Sequence, residues 1–225
     1  MSGGEVNGLA VFCRAPIQGK CKTRLFSTLG EAGALKAHVE LTRGALARMR
    51  EFNGVKVLWS SEDHDLARDW AQEFGFDYAV QEGADIGERM ANALQAMLTS
   101  ECSSACLVGS DCPPIDATYA HEALKLLHYC DLVFGPAEDG GYGLIGMEAQ
   151  LARRADSSLS NLFKNISWGT SKVMAQSHSR ANEQNLSVGL LTEIWDVDTP
   201  SDWQRYLAQK NNQGFNSNTE SNSRN

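Results

Sequence analysis

No stretch of this 225-residue chain approaches the roughly 18 consecutive apolar residues of a membrane-spanning helix. Its first residues, MSGGEVNG, lack both the cationic and the apolar part of a signal peptide, so the expected location is the cytoplasm. Positive charge is scarce. With 20 Lys and Arg against 28 Asp and Glu, a net charge of -8, the composition argues against general binding to nucleic acid or anionic membranes. A CxxC pair is missing, and the six cysteines at 13, 21, 102, 106, 112 and 130 form no dense framework, so they are expected as thiols. Cys102, Cys106 and Cys112 are poor zinc ligands, because Cys106 lies in an apolar strand-like run and no fourth ligand is evident. His38, His64, His121, His128 and His178 form no HExxH pair and adjoin no Ser or Cys nucleophile motif, which removes support for triad hydrolysis.

What the chain does have is a concentrated basic loop, RAPIQGKCKTRL at 14–25, which places Arg14, Lys20, Lys22 and Arg24 in a region with no Asp or Glu between Val6 and Gly30. The apolar run Leu9 to Cys13 just before it has strand length, so the cations fall where a buried strand gives way to a loop. Nucleotide sites of open α/β proteins are built at such places. The loop is not a P-loop: Arg14 stands where that motif needs Gly, and Cys21 follows Gly19-Lys20 where it needs Ser or Thr. No GxGxxG follows the strand either. A glycine turn among long cationic side chains remains, suited to gripping a polyphosphate by charge and bidentate contact, although a solvated surface loop would carry the same residues.

Strand-like runs alternate with helical patterns, which indicates a mostly parallel α/β sheet. The expected strands are Leu9 to Cys13, Val55 to Trp59, Tyr78 to Gln81, Ala105 to Gly109 and Leu132 to Gly135. Helices are expected over Glu31 to Arg50, His64 to Phe74, Ile86 to Thr99 and Ala117 to Leu127. GGYGLIGM, at 140–147, follows Gly135 too closely for a parallel crossover, so it should be a reversed strand. Beyond it, Trp168 to Ser177 reads as a helix, Leu186 to Val197 contains a last strand, and Ser201 to Ala208 is a last helix. Residues 1–209 are expected to form one domain, and the polar end at 210–225 a disordered tail.

Carboxylates gather at three strand ends. Asp111, in Gly109-Ser110-Asp111-Cys112-Pro113-Pro114, sits at the C-terminal edge of a parallel strand and is stiffened by the Pro pair, so it is placed to hold Mg²⁺. Asp116 is the better cap for the helix that follows. Glu138 and Asp139 precede Gly140 and Gly141, which would let backbone approach a ligand. Asp196 and Asp198 alternate onto one face, although Asp198 also reads as a helix cap beside Pro200. In DIGERM, Asp85 and Glu88 have capping-box spacing, leaving Arg89 as a phosphate or ribose contact.

Taken in order, AVFCRAPIQGKCKTRL, DIGERM, LVGSDCPPI, GPAEDGGYGLIG, the WGT at 168–170 and DVDTP resemble a bacterial family of GT-A-fold enzymes, the rSAM/selenodomain-associated transferases 1. More distantly the chain resembles molybdenum cofactor guanylyltransferase and 2-phospholactate guanylyltransferase, the latter sharing the loop that here reads CKTRL. The resemblance implies a Rossmann-like nucleotide-diphospho-sugar transferase fold, with strand order 3-2-1-4-6-5-7 and one antiparallel strand. It implies Mg²⁺ (or Mn²⁺) on Asp111 and Asp198. It also implies phosphate binding by Arg14, Ala15, Pro16, Gly19, Lys20, Lys22, Arg24, Arg89, Ser110, Gly140 and Gly141. Arg14 stands where relatives commonly carry Lys.

The reading preferred from sequence is nucleotidyl transfer from a nucleoside triphosphate to a phosphorylated acceptor with release of pyrophosphate, Lys20, Lys22 and Arg24 stabilising the leaving group beside Asp111. Glycosyl transfer from a nucleotide sugar uses the same fold and metal, with Glu138 or Asp139 as base. A nucleotide-binding regulatory protein without turnover is the third reading. The expected partners are therefore a nucleoside triphosphate or nucleotide sugar and a small acceptor, with no nucleic acid and no membrane span.

Overall fold

The computed structural model describes residues 6–153 and 159–222, with side chains to residue 212. Seven strands form one sheet in the order β3-β2-β1-β4-β6-β5-β7. They are β1 (Asn7–Cys13), β2 (Val55–Ser60), β3 (Asp77–Val80), β4 (Ser104–Gly109), β5 (Leu132–Pro136), β6 (Tyr142–Glu148) and β7 (Val188–Leu190). β1 lies parallel to both β2 and β4, whereas β6 runs antiparallel to both β4 and β5. The strand that follows its predecessor too closely for a crossover is thus the reversed one.

Layering follows from β1. Its alternate residues enter two cores: Leu9, Val11 and Cys13 pack with Leu46, Met49 and Trp70, while Ala10 and Phe12 pack with Met90, Leu94 and Phe134. A strand buried on both faces must be apolar throughout, which is why LAVFC shows no alternation. The first face carries α1 (Phe26–Met49), α2 (Asp65–Phe74) and α4 (Ala117–Leu127). The other carries α3 (Ile86–Thr99), the short α5 (Ala149–Ala152) and α6 (Ser160–Phe163), and α7 (Val173–Glu183). A last helix, α8 (Pro200–Asn222), joins α1 through a third cluster of Leu25, Leu41, Trp195 and Trp203.

The anticipated helix bounds hold for α3 and α4, whose caps are local: Asp85 accepts from Glu88 N–H at 2.9 Å and Asp116 from Tyr119 N–H at 2.9 Å. α1 begins earlier than expected, at Phe26, with a break at Gly30 (φ 64°, ψ 173°). The helix expected from Trp168 starts instead at Val173, because Gly169 takes a left-handed turn (φ 75°) and Thr170 folds back onto Ser167 O at 2.7 Å. At the other end, the backbone of α8 is helical through Asn222, where polar composition led us to expect a tail from residue 210; Lys210 Nζ pairs with Glu40 Oε1 at 2.6 Å. No helix among the described residues is long and apolar enough to cross a membrane.

Candidate functional site

The basic loop is fixed from inside. Ala15 N–H donates to Ser61 Oγ at 2.9 Å, the buried Cys21 thiol meets Ala15 O at 3.1 Å, and Gly19 turns the chain at φ 80°. A short 3-10 turn, Thr23–Leu25, then drives Leu25 into the core, and Lys22 at its start adopts a left-handed conformation (φ 47°, ψ 46°) that non-glycine residues seldom take. The consequence is directional. Lys22 is turned inward to 7% side-chain exposure, while Arg14, Lys20 and Arg24 are exposed.

Opposite it, the segment after β7 is carried onto the end of β4. Ile194 N–H donates to Pro136 O at 2.8 Å, Glu138 N–H to Ile194 O at 2.9 Å, and Val197 N–H to Asp111 O at 3.0 Å. Asp196 and Asp198 thereby arrive beside Asp111, and one carboxylate oxygen from each lies within 4.8 Å of the others. Asp198 does not cap α8. Asp202 Oδ2 takes both the Asp198 and Thr199 amides, at 3.2 and 2.7 Å, leaving the Asp198 carboxylate to the site.

Lys22 Nζ joins the two halves, 2.7 Å from Asp111 Oδ2 and 2.9 Å from Asp198 Oδ1, and Arg24 Nη1 reaches Asp198 Oδ2 at 2.9 Å. Burial works against the Lys22 ammonium, but Asp111 and Asp198 outweigh it and hold its pKa above the ordinary lysine value. Burial likewise disfavours the Asp111 carboxylate, and the adjoining Lys22 more than reverses this, keeping its pKa below the usual value. Asp196 forms no ion pair among the described residues, and the Lys22 charge offsets only part of what opposes its ionisation. Burial first, and then the charges of Asp111, Asp198 and Asp139, push its pKa up to about 7.

Three carboxylates offering only oxygen make a hard donor set of the kind Mg²⁺ or Mn²⁺ takes. The cluster also carries more negative charge than Lys22 and Arg24 balance, so these residues fit a divalent ion. Asp196 is the member that sequence reasoning did not select, although its alternation with Asp198 was a usable signal.

On the far side of Asp111 a cleft of about 250 Å³ opens, lined by Asp111, Asp139 and Asp196 and by Ile86, Met90 and Trp168 among others. Asp139 Oδ1 accepts from Gly141 N–H at 2.8 Å. Glu138, by contrast, is held by Arg205 through two contacts at 2.7 and 3.1 Å. Gly140 serves folding: it has φ 86°, a Cβ there would collide with Ser171 O, and its own carbonyl accepts from Met174 N–H at 2.9 Å. Gly140→Ala should therefore detach the 168–174 wall of the cleft and destabilise the protein by about 1–3 kcal/mol. An unchanged urea midpoint would contradict this.

Other anticipated contacts stand apart from the cleft. The Ser110 hydroxyl meets Thr42 Oγ1 at 3.3 Å in the core and its amide donates to Phe12 O at 3.0 Å. Arg89 Nε donates to Gly83 O at 3.1 Å, Lys20 pairs with Glu62 at 3.1 Å, and Ala15 and Pro16 are buried in the loop. All six cysteines are free, and five are buried.

A parallel sheet ordered 3-2-1-4-6-5-7 with one reversed strand, carrying a basic loop and an acid cluster across its first and fourth strands, is the fold of GT-A nucleotide-diphospho-sugar transferases. Within that class, residues 45–170 match the family described as uncharacterized protein conserved in bacteria (DUF2064), and the chain belongs to it.

Among solved structures, the chain is 28% identical to a candidate nucleotide-diphospho-sugar transferase from Desulfovibrio desulfuricans G20, covering 87% of this chain and 83% of that one at a TM-score of 0.76. A nucleotidyl transferase from Methanothermobacter thermautotrophicus shares the fold at 11% identity, with 90% and 96% covered and a TM-score of 0.63. So does glucosyl-3-phosphoglycerate synthase from Mycobacterium tuberculosis, solved with Mn²⁺ and UDP, at 9% identity, 89% and 75% covered and a TM-score of 0.55. No curated protein matches the sequence.

Proposed function

We propose that residues 1–209 form one transferase domain that takes a nucleotide substrate with a divalent metal and passes part of it to a small acceptor. The observation that carries this reading is Lys22, which bridges Asp111 and Asp198 and so puts the basic loop and the acid cluster in one crevice. Asp111, Asp198 and Asp196 would hold the ion. When bound, it would neutralise phosphate oxygens and the charge developing on the leaving group. Arg24 and Lys20, both exposed, would draw in the nucleotide phosphates by charge; their present ion pairs are exposed and weak enough to exchange.

Of the two transfer reactions, the geometry favours glycosyl transfer. Sequence alone offers four cations for a triphosphate, but Lys22 is buried and already held by two carboxylates. In addition, Asp139 faces the same cleft as Asp111 and Asp196, with Oδ1 fixed by a backbone N–H. In the proposed step the acceptor hydroxyl oxygen bonds to the anomeric carbon of the nucleotide sugar. The bond from that carbon to phosphate breaks with its electron pair leaving on the nucleoside diphosphate, and the hydroxyl proton passes to the Asp139 carboxylate. Nucleotidyl transfer is the second reading, supported by the exposed Arg14 and Arg24 guanidiniums and by the sequence resemblance to guanylyltransferases.

Incubation with Mg²⁺, each nucleoside triphosphate and a panel of nucleotide sugars separates these readings. Release of nucleoside diphosphate with a sugar-bearing product is expected. Pyrophosphate release would replace the first reading by the second, and nucleotide binding with neither product would leave a non-catalytic binding protein.

A further inference from the structure

The cleft beyond Asp111 carries no positive charge: of the described residues lining it, three are Asp and none is Lys, Arg or His. Lys172, adjacent in sequence to the wall, is not among them. Helix N-termini, the usual alternative source of anion affinity, carry acids or used amides here. Ile86 opens α3 at the cleft edge, and two carboxylates already sit at that end, Asp85 Oδ1 taking Glu88 N–H at 2.9 Å and Glu88 Oε2 taking Ala84 N–H at 2.9 Å. At α7, Val173 N–H donates to Thr170 O at 3.3 Å and Met174 N–H to Gly140 O at 2.9 Å. A phosphate ester entering here would meet the carboxylates of Asp111, Asp139 and Asp196 beside the engaged amides of Gly141, Val173 and Met174. With a divalent ion on Asp111, Asp196 and Asp198, the cations Lys22 and Arg24 and the four carboxylates including Asp139 sum to zero, so no net positive charge would meet an entering phosphate.

The lining also has an apolar part, held by close packing. Trp168 sits with its ring 6.4 Å from that of Phe163 and 6.5 Å, edge-on, from that of Tyr142, and its six-membered ring lies so close to Gly87 that a Cβ there would come within 2.8 Å. Ile86 and Met90 continue the surface. An aromatic ring lining the same cleft as three carboxylates suits a hydroxylated ring, which can pack on the one and donate its hydroxyls to the others. At about 250 Å³ the cleft has room for roughly eight water volumes, the scale of one such ring.

We infer that the acceptor is a small, non-anionic hydroxyl compound with an apolar face, selected by Asp139 against phosphate esters and by Trp168 for that face. This rests on the proposed transferase reading, and it departs from the phosphorylated acceptor expected from sequence.

The test uses the full chain with Mg²⁺ and a nucleoside diphosphate, and titrates p-nitrophenyl β-glucoside against its 6-phosphate. Quenching of Trp168 emission is the readout, with Trp168→Phe defining the signal from the other four tryptophans. The uncharged glucoside should bind at least tenfold more tightly than its phosphate. Asp139→Asn should narrow that ratio and Asp139→Lys should narrow it further. Equal or tighter binding of the phosphate, or binding of neither probe by protein that binds the nucleotide, would overturn the inference. Nucleotide binding is followed separately by melting temperature. If no nucleotide raises it, the transferase reading fails, while discrimination between the two probes would still support the cleft assignment.

Discussion

Replacing Asp111 by Asn is expected to lower kcat/KM for transfer by about 10³-fold, the scale of loss when a preorganised electrostatic group is taken from a reacting centre. The fold positions this side chain unusually firmly: its backbone carbonyl receives Val197 N–H at 3.0 Å, and its carboxylate holds Lys22 at 2.7 Å while sharing a 4.8 Å cluster with Asp196 and Asp198. Asn keeps the shape and an acceptor oxygen for Lys22 but gives up the charge that would hold a divalent ion. The melting temperature should consequently move by only a few degrees. An active variant would remove Asp111 from the proposed metal site, whereas an inactive but unfolded one would show up in circular dichroism before any kinetic comparison was made.

The second large effect is expected from Lys22→Met, which keeps the stem and deletes the ammonium shared by Asp111 and Asp198. Removing one partner of a buried pair costs several kcal/mol, and an exposed pair costs little. Here the lysine is 7% exposed and its carboxylates 36% and 39%, so a loss of about 1–3 kcal/mol is expected, or roughly 2–12 °C in a chain of this size. The acid dependence has a definite sign. Because Lys22 holds the Asp111 pKa below the ordinary 3.8, the stabilisation is present above that pH and fades as the pH falls through the lowered value, so wild type and variant should converge in acid. Without the ammonium, Asp111 loses its paired cation and Asp198 keeps only the exposed Arg24. Mg²⁺ or Mn²⁺ should therefore raise the melting temperature of Lys22→Met more than that of wild type, and equal increments in both proteins would sink the claim that lysine and metal share the cluster.

Much of the scaffold was legible along the chain. The unbroken apolar run of β1 announced a strand covered on both faces, and the Asp85 and Asp116 caps set α3 and α4 to the residue. The order of the sheet and its reversed strand came from the motif string and from the shortness of the link between β5 and β6, and both are found in the structure. Less was legible where a turn depends on a distant neighbour. The start of α7 was set too early because Gly169 and the packing of Gly140 against Ser171 are not visible in helical periodicity. Asp198 looked like a cap until Asp202 took the free amides.

The sequence by itself determined the alternation of strands and helices, the glycine turn after β1 and the residue types available at each strand end, because periodicity, caps and turns act between residues a few positions apart. Only the tertiary structure decided which of those residues meet. Lys22 lies 89 residues from Asp111 and 176 from Asp198, and its inward turn exists because β1 and β4 are neighbours and the segment after β7 is bonded across their ends. That same crossing adds Asp196 to the cluster, beside a cleft whose lining among the described residues has three Asp and Trp168 but no Lys, Arg or His, whereas the basic loop, read alone, suggested phosphate.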